Sequence, residues 1–151
     1  MAPALPQADD RWRLADGGGL TGSVGVPRVA ADSTHRALQE VDSMVYELRT
    51  YSAMPGRLPD LNRRFAEITM GFFKKHSIQV VGFWTNELGG SSDQLIYMLA
   101  YDSLADREKK WGGFFADPDR LAKFAETEKN GPLVRRLTAQ ILRPTAYSPM
   151  K

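Results

Sequence analysis

Glu47 and Arg49 stand two apart in the run Val45-Tyr46-Glu47-Leu48-Arg49-Thr50-Tyr51. Its aromatic and β-branched residues predict a strand, so both charges share one face with Tyr51. Ionic groups in mid-strand near a sheet centre are costly unless paired. Two chemistries are open to them. Arg49 can grip an anionic group on a pocket floor, with Glu47 as proton acceptor or as the group that orients the arginine. Alternatively the two form an ion pair that fixes register and performs no reaction.

Trp84, Tyr97, Tyr101, Trp111, Phe114 and Phe115 are candidates for the walls of an apolar cavity between helices and sheet. Aromatics at strand and helix spacing are more often plain core. Gly112-Gly113 in a helical stretch lowers helix stability by about 1 kcal/mol per residue relative to alanine. The pair either lets the chain bend over a ligand or lets the helix pack closely. His76, after Lys74-Lys75, reads as a helix C-terminal cap, and His35 has no evident role. Arg107-Glu108-Lys109-Lys110 and Arg135-Arg136 read as solvated faces, not phosphate sites. The chain has no G-x-S-x-G, no P-loop and no H-x-x-x-H pair. With no cysteine and two distant histidines, neither a metal nor a cofactor is expected.

These residues belong to a chain of 151, with 20 basic and 18 acidic side chains and a formal charge of +2. That length supports one domain. No apolar stretch approaches the roughly 20 residues of a membrane span. The weak, unclustered charge argues against nucleic-acid binding. Composition is uneven along the chain. Residues 1–43 hold 4 basic and 6 acidic residues and a single aromatic, Trp12, while residues 44–151 hold 16 basic and 12 acidic residues and every isoleucine. The first stretch cannot bury enough apolar surface to offset its ordering entropy, so 1–43 reads as a flexible tail and 44–151 as the domain. An upstream start codon or a non-native extension would produce the same break.

Gly17-Gly18-Gly19-Leu20-Thr21-Gly22 matches G-x-G-x-x-G, but no apolar strand precedes it and Pro27 follows, so a linker is the better reading. A short helix over Thr34–Asp42 is an option there. The tail lacks the apolar core of a secretory signal and is too acidic for a mitochondrial transit peptide, so a cytoplasmic location is expected.

In the domain, Leu58, Leu61, Phe65, Ile68 and Phe72 recur at steps of 3 and 4, predicting one amphipathic helix to about Lys75. Ile78–Asn86 and Gln94–Asp102 read as strands joined by a glycine-rich hairpin. Ser103-Leu104-Ala105-Asp106 has the capping-box pattern and starts a helix to about Phe115. Asp117-Pro118 starts another, to about Lys129, and Leu133–Thr145 reads as the last strand. The order β-α-β-β-α(α)-β predicts an α+β, ferredoxin-like fold, its antiparallel sheet covered by helices on one side. Val45, Ile96 and Met98 are candidates for the uncovered face, which predicts a homodimer joined sheet to sheet.

Val45–Tyr51 followed by Pro55-Gly56, then Val81-Gly82-Phe83-Trp84, then Tyr101-Asp102-Ser103-Leu104-Ala105-Asp106-Arg107, resembles the NIPSNAP family. Asp117-Pro118 and Leu142-Arg143-Pro144-Thr145 with Ser148-Pro149 are similar to it as well, so the resemblance spans about residues 44–151. Asp119-Arg120 departs from it, standing where a tryptophan often follows the Asp-Pro. The resemblance implies a dimeric α/β barrel related to cofactor-free monooxygenases and haem-degrading enzymes, but no particular reaction. The expectation is a homodimer of unassigned activity that binds a small apolar or aromatic ligand between sheet and helices. Glu47, Arg49, Trp84, Tyr97 and Trp111 are its ligand-binding candidates. The alternatives are a non-catalytic protein-interaction module or, by fold analogy, a cofactor-free monooxygenase.

Overall fold

The computed structural model describes residues 44–150. The expectations for 1–43, including the linker and the short helix, lie outside the described residues. Strand β1 is Val45–Ala53, β2 is Gln79–Thr85, β3 is Gln94–Tyr101 and β4 is Val134–Leu142. Helices α1 (Leu58–Arg64) and α2 (Met70–Lys75) flank a π-helical turn at Phe65–Thr69, and α3 (Leu104–Ala116) and α4 (Pro118–Thr127) follow β3. The strands form one antiparallel sheet in the order β2-β3-β1-β4, the ferredoxin-like arrangement.

Strand alternation divides the middle of β1, from Glu47 to Tyr51. Val45, Glu47, Arg49, Tyr51 and Ala53 are buried toward the helices, as are Leu95, Tyr97, Leu99 and Tyr101 of β3. The helices add Leu61, Phe65, Phe72, Phe73, Trp111, Phe114 and Phe124 to the same cluster. Val45, expected on the uncovered face, is therefore core, at 1% exposure. Its parity with Glu47 explains why: residues two apart on a strand share a face. Ile96 and Met98 point the other way, each half-buried, paired with Thr50 and Leu48 of β1.

The first helix keeps its expected span but not its expected regularity. Across Phe65–Thr69 the turn widens to π geometry, in which hydrogen bonds reach one residue further than in an α-helix. The inner face then runs Leu61, Phe65, Thr69, Phe73, in steps of four. Thr69 is thereby buried, and Ile68, expected on the stripe, is only partly covered.

Helix ends follow local chemistry. Ser103 Oγ accepts from the Asp106 N–H at 3.1 Å, while the Asp106 carboxylate accepts from the Asp102 N–H at 3.4 Å, one residue before the position a full capping box uses. Asp117 accepts from the N–H groups of Asp119 and Arg120, with Pro118 starting α4. At the end of α2 the Ile78 N–H reaches Phe73 O at 2.8 Å and the Ser77 N–H reaches Lys74 O at 3.2 Å, a Schellman pair with Ser77 at φ 55°. The last strand is shorter than expected, Val134–Leu142.

Candidate functional site

Glu47 is completely buried, and five hydrogen bonds meet its two oxygens. Arg49 Nη1 and Arg107 Nη2 donate to Oε1 at 2.9 and 2.7 Å. Arg107 Nε, Trp111 Nε1 and the Tyr101 hydroxyl donate to Oε2 at 2.9, 2.8 and 3.3 Å. Burial alone pushes the Glu47 carboxyl up, but the Arg107 hydrogen bonds, the Arg49 charge and the Trp111 N–H together hold it below the ordinary carboxylate value. A carboxylate whose oxygens are taken up by protein donors has little capacity left to accept a proton from a substrate. It is placed to be the counter-ion of two guanidinium groups.

Arg49, 2% exposed, is engaged on further sides, although its Nε has no hydrogen-bond partner. Its Nη2 donates to the Tyr51 hydroxyl at 3.2 Å, and its guanidinium carbon lies 4.6 Å from the Trp111 ring centroid. Burial disfavours the charged form, but Tyr51, Tyr97 and Glu47 outweigh it and the guanidinium is held more firmly protonated than a free arginine. Burial and the neighbouring Glu47 charge raise the Tyr101 phenol well above its ordinary value, keeping it a donor.

Four of the five candidates thus come together. Glu47, Arg49 and Trp111 are joined directly, and Tyr97 lies beneath the Arg49 guanidinium at 6.0 Å. Trp84 does not join them. It sits 49% exposed opposite Ile96 on the other sheet face, its ring folded over Gly82, where a Cβ would come within 2.8 Å of two ring carbons.

Arg107, read as part of a solvated cluster, turns inward instead. Its spacing of four from Trp111 was the available signal, because it puts both on one face of α3. Lys110 of that cluster pairs with Asp106 at 2.6 Å, and Arg135 pairs with Asp93 at 3.3 Å at an exposed position. His76 occupies the C-cap of α2, and its Nε2 lies 2.8 Å from Asp117 Oδ2. Lys75 also binds Asp117, at 2.7 Å, and its hydrogen bond leads the effects that hold that carboxyl well below its usual range. Gly112 and Gly113 leave α3 unbroken, and a Cβ at Gly113 would meet His76 Nδ1 at 3.1 Å, so close packing accounts for the second glycine.

Next to this network, between the sheet, the π-turn and α3–α4, lies a cavity of about 10 Å³, room for one water molecule. Tyr51, Tyr97, Trp111 and Phe124 contribute rings to its lining, Arg64 and Thr69 polar groups. Arg64 Nε and Thr69 Oγ1 are buried without a hydrogen-bond partner. Thr69 did not stand out in the sequence, because the π-turn that carries it inward leaves no signature in a 3.6-residue period, whereas Arg64 lies three residues after Leu61, on the buried face of a regular helix. Among the described residues no group of three or more His, Cys, Asp or Glu could hold a metal ion, and no helix is long and apolar enough to cross a membrane.

The sheet order, its single helical layer and the buried arginine–carboxylate network in an aromatic interior define a ferredoxin-like α+β domain. Residues 46–149 match the NIPSNAP family model, and the chain belongs to the NIPSNAP family. Its fold is similar to that of a NIPSNAP family protein from Agrobacterium tumefaciens str. C58, with 25% identity, a TM-score of 0.64, and 72% of this chain and 99% of that one covered. A second protein from that organism, a NIPSNAP family protein with unknown function, is 26% identical with a TM-score of 0.63, covering 73% and 96%. An uncharacterized NIPSNAP-like domain protein from Burkholderia xenovorans is 21% identical with a TM-score of 0.64, covering 72% and 90%. No curated protein matches the chain.

Proposed function

We propose that this domain is a homodimer, joined through its open sheet faces, that binds a small aromatic ligand between sheet and helices. The observation that carries the ligand reading is the small cavity next to the Glu47–Arg49 network, lined by aromatic rings and by Arg64 and Thr69 with their unpartnered buried donors. Interiors rarely leave such donors unsatisfied, and sites where they do are candidates for binding. The cavity is small, so a ring enters only if a lining side chain moves, and Phe115, stacked on Trp111 and partly exposed, is the nearest to solvent. Glu47 acts here as counter-ion and Arg49 as a fixed charge under the floor, so the reading is binding rather than proton transfer at Glu47.

Native mass spectrometry of the purified protein tests both halves. A dimer mass with a co-purified small molecule supports the proposal. A bare dimer whose melting temperature does not respond to a panel of phenols and indoles removes the ligand half, and a monomer removes the other. The second reading, a non-catalytic interaction module, is favoured by a groove of about 510 Å³ on the outer helical surface, with Ile68, Phe72, Lys75 and Lys123 among its walls.

A further inference from the structure

Arg64 stands at a boundary between two spaces. Inside, it lines the aromatic cavity; outside, it lines a groove of about 330 Å³ between α1 and the end of α4. The groove is within the size range of small-molecule sites. Ile68 and the fully buried Leu133 supply its apolar lining; Arg57, Arg63 and Lys129 line it beside Arg64, with Asp60 paired to Arg57 and Arg63 and Glu126 paired to Lys129.

The Arg64 side chain is 5% exposed and its guanidinium carbon lies 4.7 Å from the Phe124 ring centroid. Nη1 donates to Glu128 Oε1 at 2.8 Å, while Nε has no partner. Glu128 is more exposed than the arginine it holds, at 23%. This is therefore a buried guanidinium with one edge in use, held at the wall of a groove by a single, solvent-reachable carboxylate. Arg64 ends the regular helix α1, and the π-turn begins at the next residue, Phe65. Such turns recur at functional sites.

We infer that the groove is a binding site for a small monocarboxylate with an apolar body, and that Arg64 is its anchor. The ligand carboxylate displaces Glu128 and engages Arg64 in the two-pronged geometry that a planar carboxylate and a guanidinium share. Its apolar body lies against Ile68 and Leu133. The four cationic residues of the lining outnumber its three carboxylates, so the groove favours an anion. Glu128 is an internal competitor that sets the affinity. This groove shares Arg64, and no other lining residue, with the cavity of the proposed function.

The test is titration of the full chain with benzoate at constant ionic strength, followed by calorimetry or by NMR shifts at Ile68 and Leu133. Saturable binding is expected, tightened about tenfold in Glu128→Gln, where the competing charge is gone, and weakened at least about tenfold in Arg64→Lys, which keeps the charge but loses the fork. Binding should survive Trp111→Phe, which alters the inner cavity and the Glu47 network but no residue of the groove. If Arg64→Lys fails to fold, Glu128→Gln still decides. No saturable binding in both the parent and Glu128→Gln, or an unchanged affinity in Glu128→Gln, overturns the assignment.

Discussion

Arg107 grips Glu47 with two parallel hydrogen bonds, Nε to Oε2 at 2.9 Å and Nη2 to Oε1 at 2.7 Å, from a helix residue to a strand residue 60 positions away. The same carboxylate holds Arg49 on its own strand, so one anion fastens α3 to the middle of the sheet. Buried ion pairs add little net stability compared with apolar residues of the same shape, but losing one partner leaves a desolvated charge behind. The network thus penalises every packing of α3 that separates Arg107 from β1.

The first prediction concerns that penalty. Glu47→Gln keeps the side-chain shape and removes the charge, leaving Arg49 with the Tyr51 hydroxyl and aromatic faces in an almost fully buried position. A loss of about 3–5 kcal/mol is expected in urea denaturation. A loss below about 1 kcal/mol, the level of an exposed pair, would show that Arg49 finds solvent or another partner.

Acid sensitivity follows from the same carboxylate, whose folded-state proton affinity is lowered from an ordinary value of 4.5. Below that value the unfolded chain takes up a proton that the folded chain still refuses, so stability falls with pH. Above it the contribution is complete. Melting temperatures from pH 7 to pH 3 should therefore converge for the parent and Glu47→Gln. Tyr101 behaves in the opposite sense: its phenol is raised above 10.0 when folded, so ionisation of the unfolded chain lowers stability as pH climbs past 10.0. Tyr101→Phe should flatten that alkaline limb.

How far these features were legible depends on the distance over which each is specified. The inward run of Glu47, Arg49 and Tyr51 is written in the two-residue period of β1, and that parity also fixes Val45 beside them. The starts of α3 and α4 are local too, in Ser103 and Asp117 with Pro118. The Arg107–Glu47 contact is not local, and Glu108, Lys109 and Lys110 around Arg107 are those of a wet helix face. The π-turn was hidden for another reason. Leu61, Phe65, Ile68 and Phe72 satisfy an α-helical stripe, and only packing decides that Thr69 and Phe73 turn inward.

Ser77 offers a gain in stability. It holds φ 55° at the left-handed position of the Schellman pair, where a Cβ is unfavourable by roughly 1–2 kcal/mol. Glycine relieves this but has more freedom to lose, by about 0.5–1 kcal/mol. Ser77→Gly should therefore raise stability by up to about 1 kcal/mol, read as a higher denaturation midpoint at unchanged slope. A lower midpoint would mean that the serine side chain makes a compensating contact.

The open sheet face carries the last prediction. Leu48, Ile96 and Met98 are only half-buried there, and Trp84 is exposed beside them. None of the four belongs to the helix-side core, so a charge placed among them leaves that core intact. In the proposed sheet-to-sheet dimer, Ile96→Asp would set two carboxylates into one apolar interface, a burden of several kcal/mol that association cannot offset. Sedimentation velocity should show a dimer for the parent and a monomer for Ile96→Asp, with the same far-ultraviolet circular dichroism. Trp84→Ser should weaken the dimer less, since it trims apolar contact without adding charge. A dimer that persists unchanged in Ile96→Asp would place the interface elsewhere, and the apolar stripe on β3 would then require another partner.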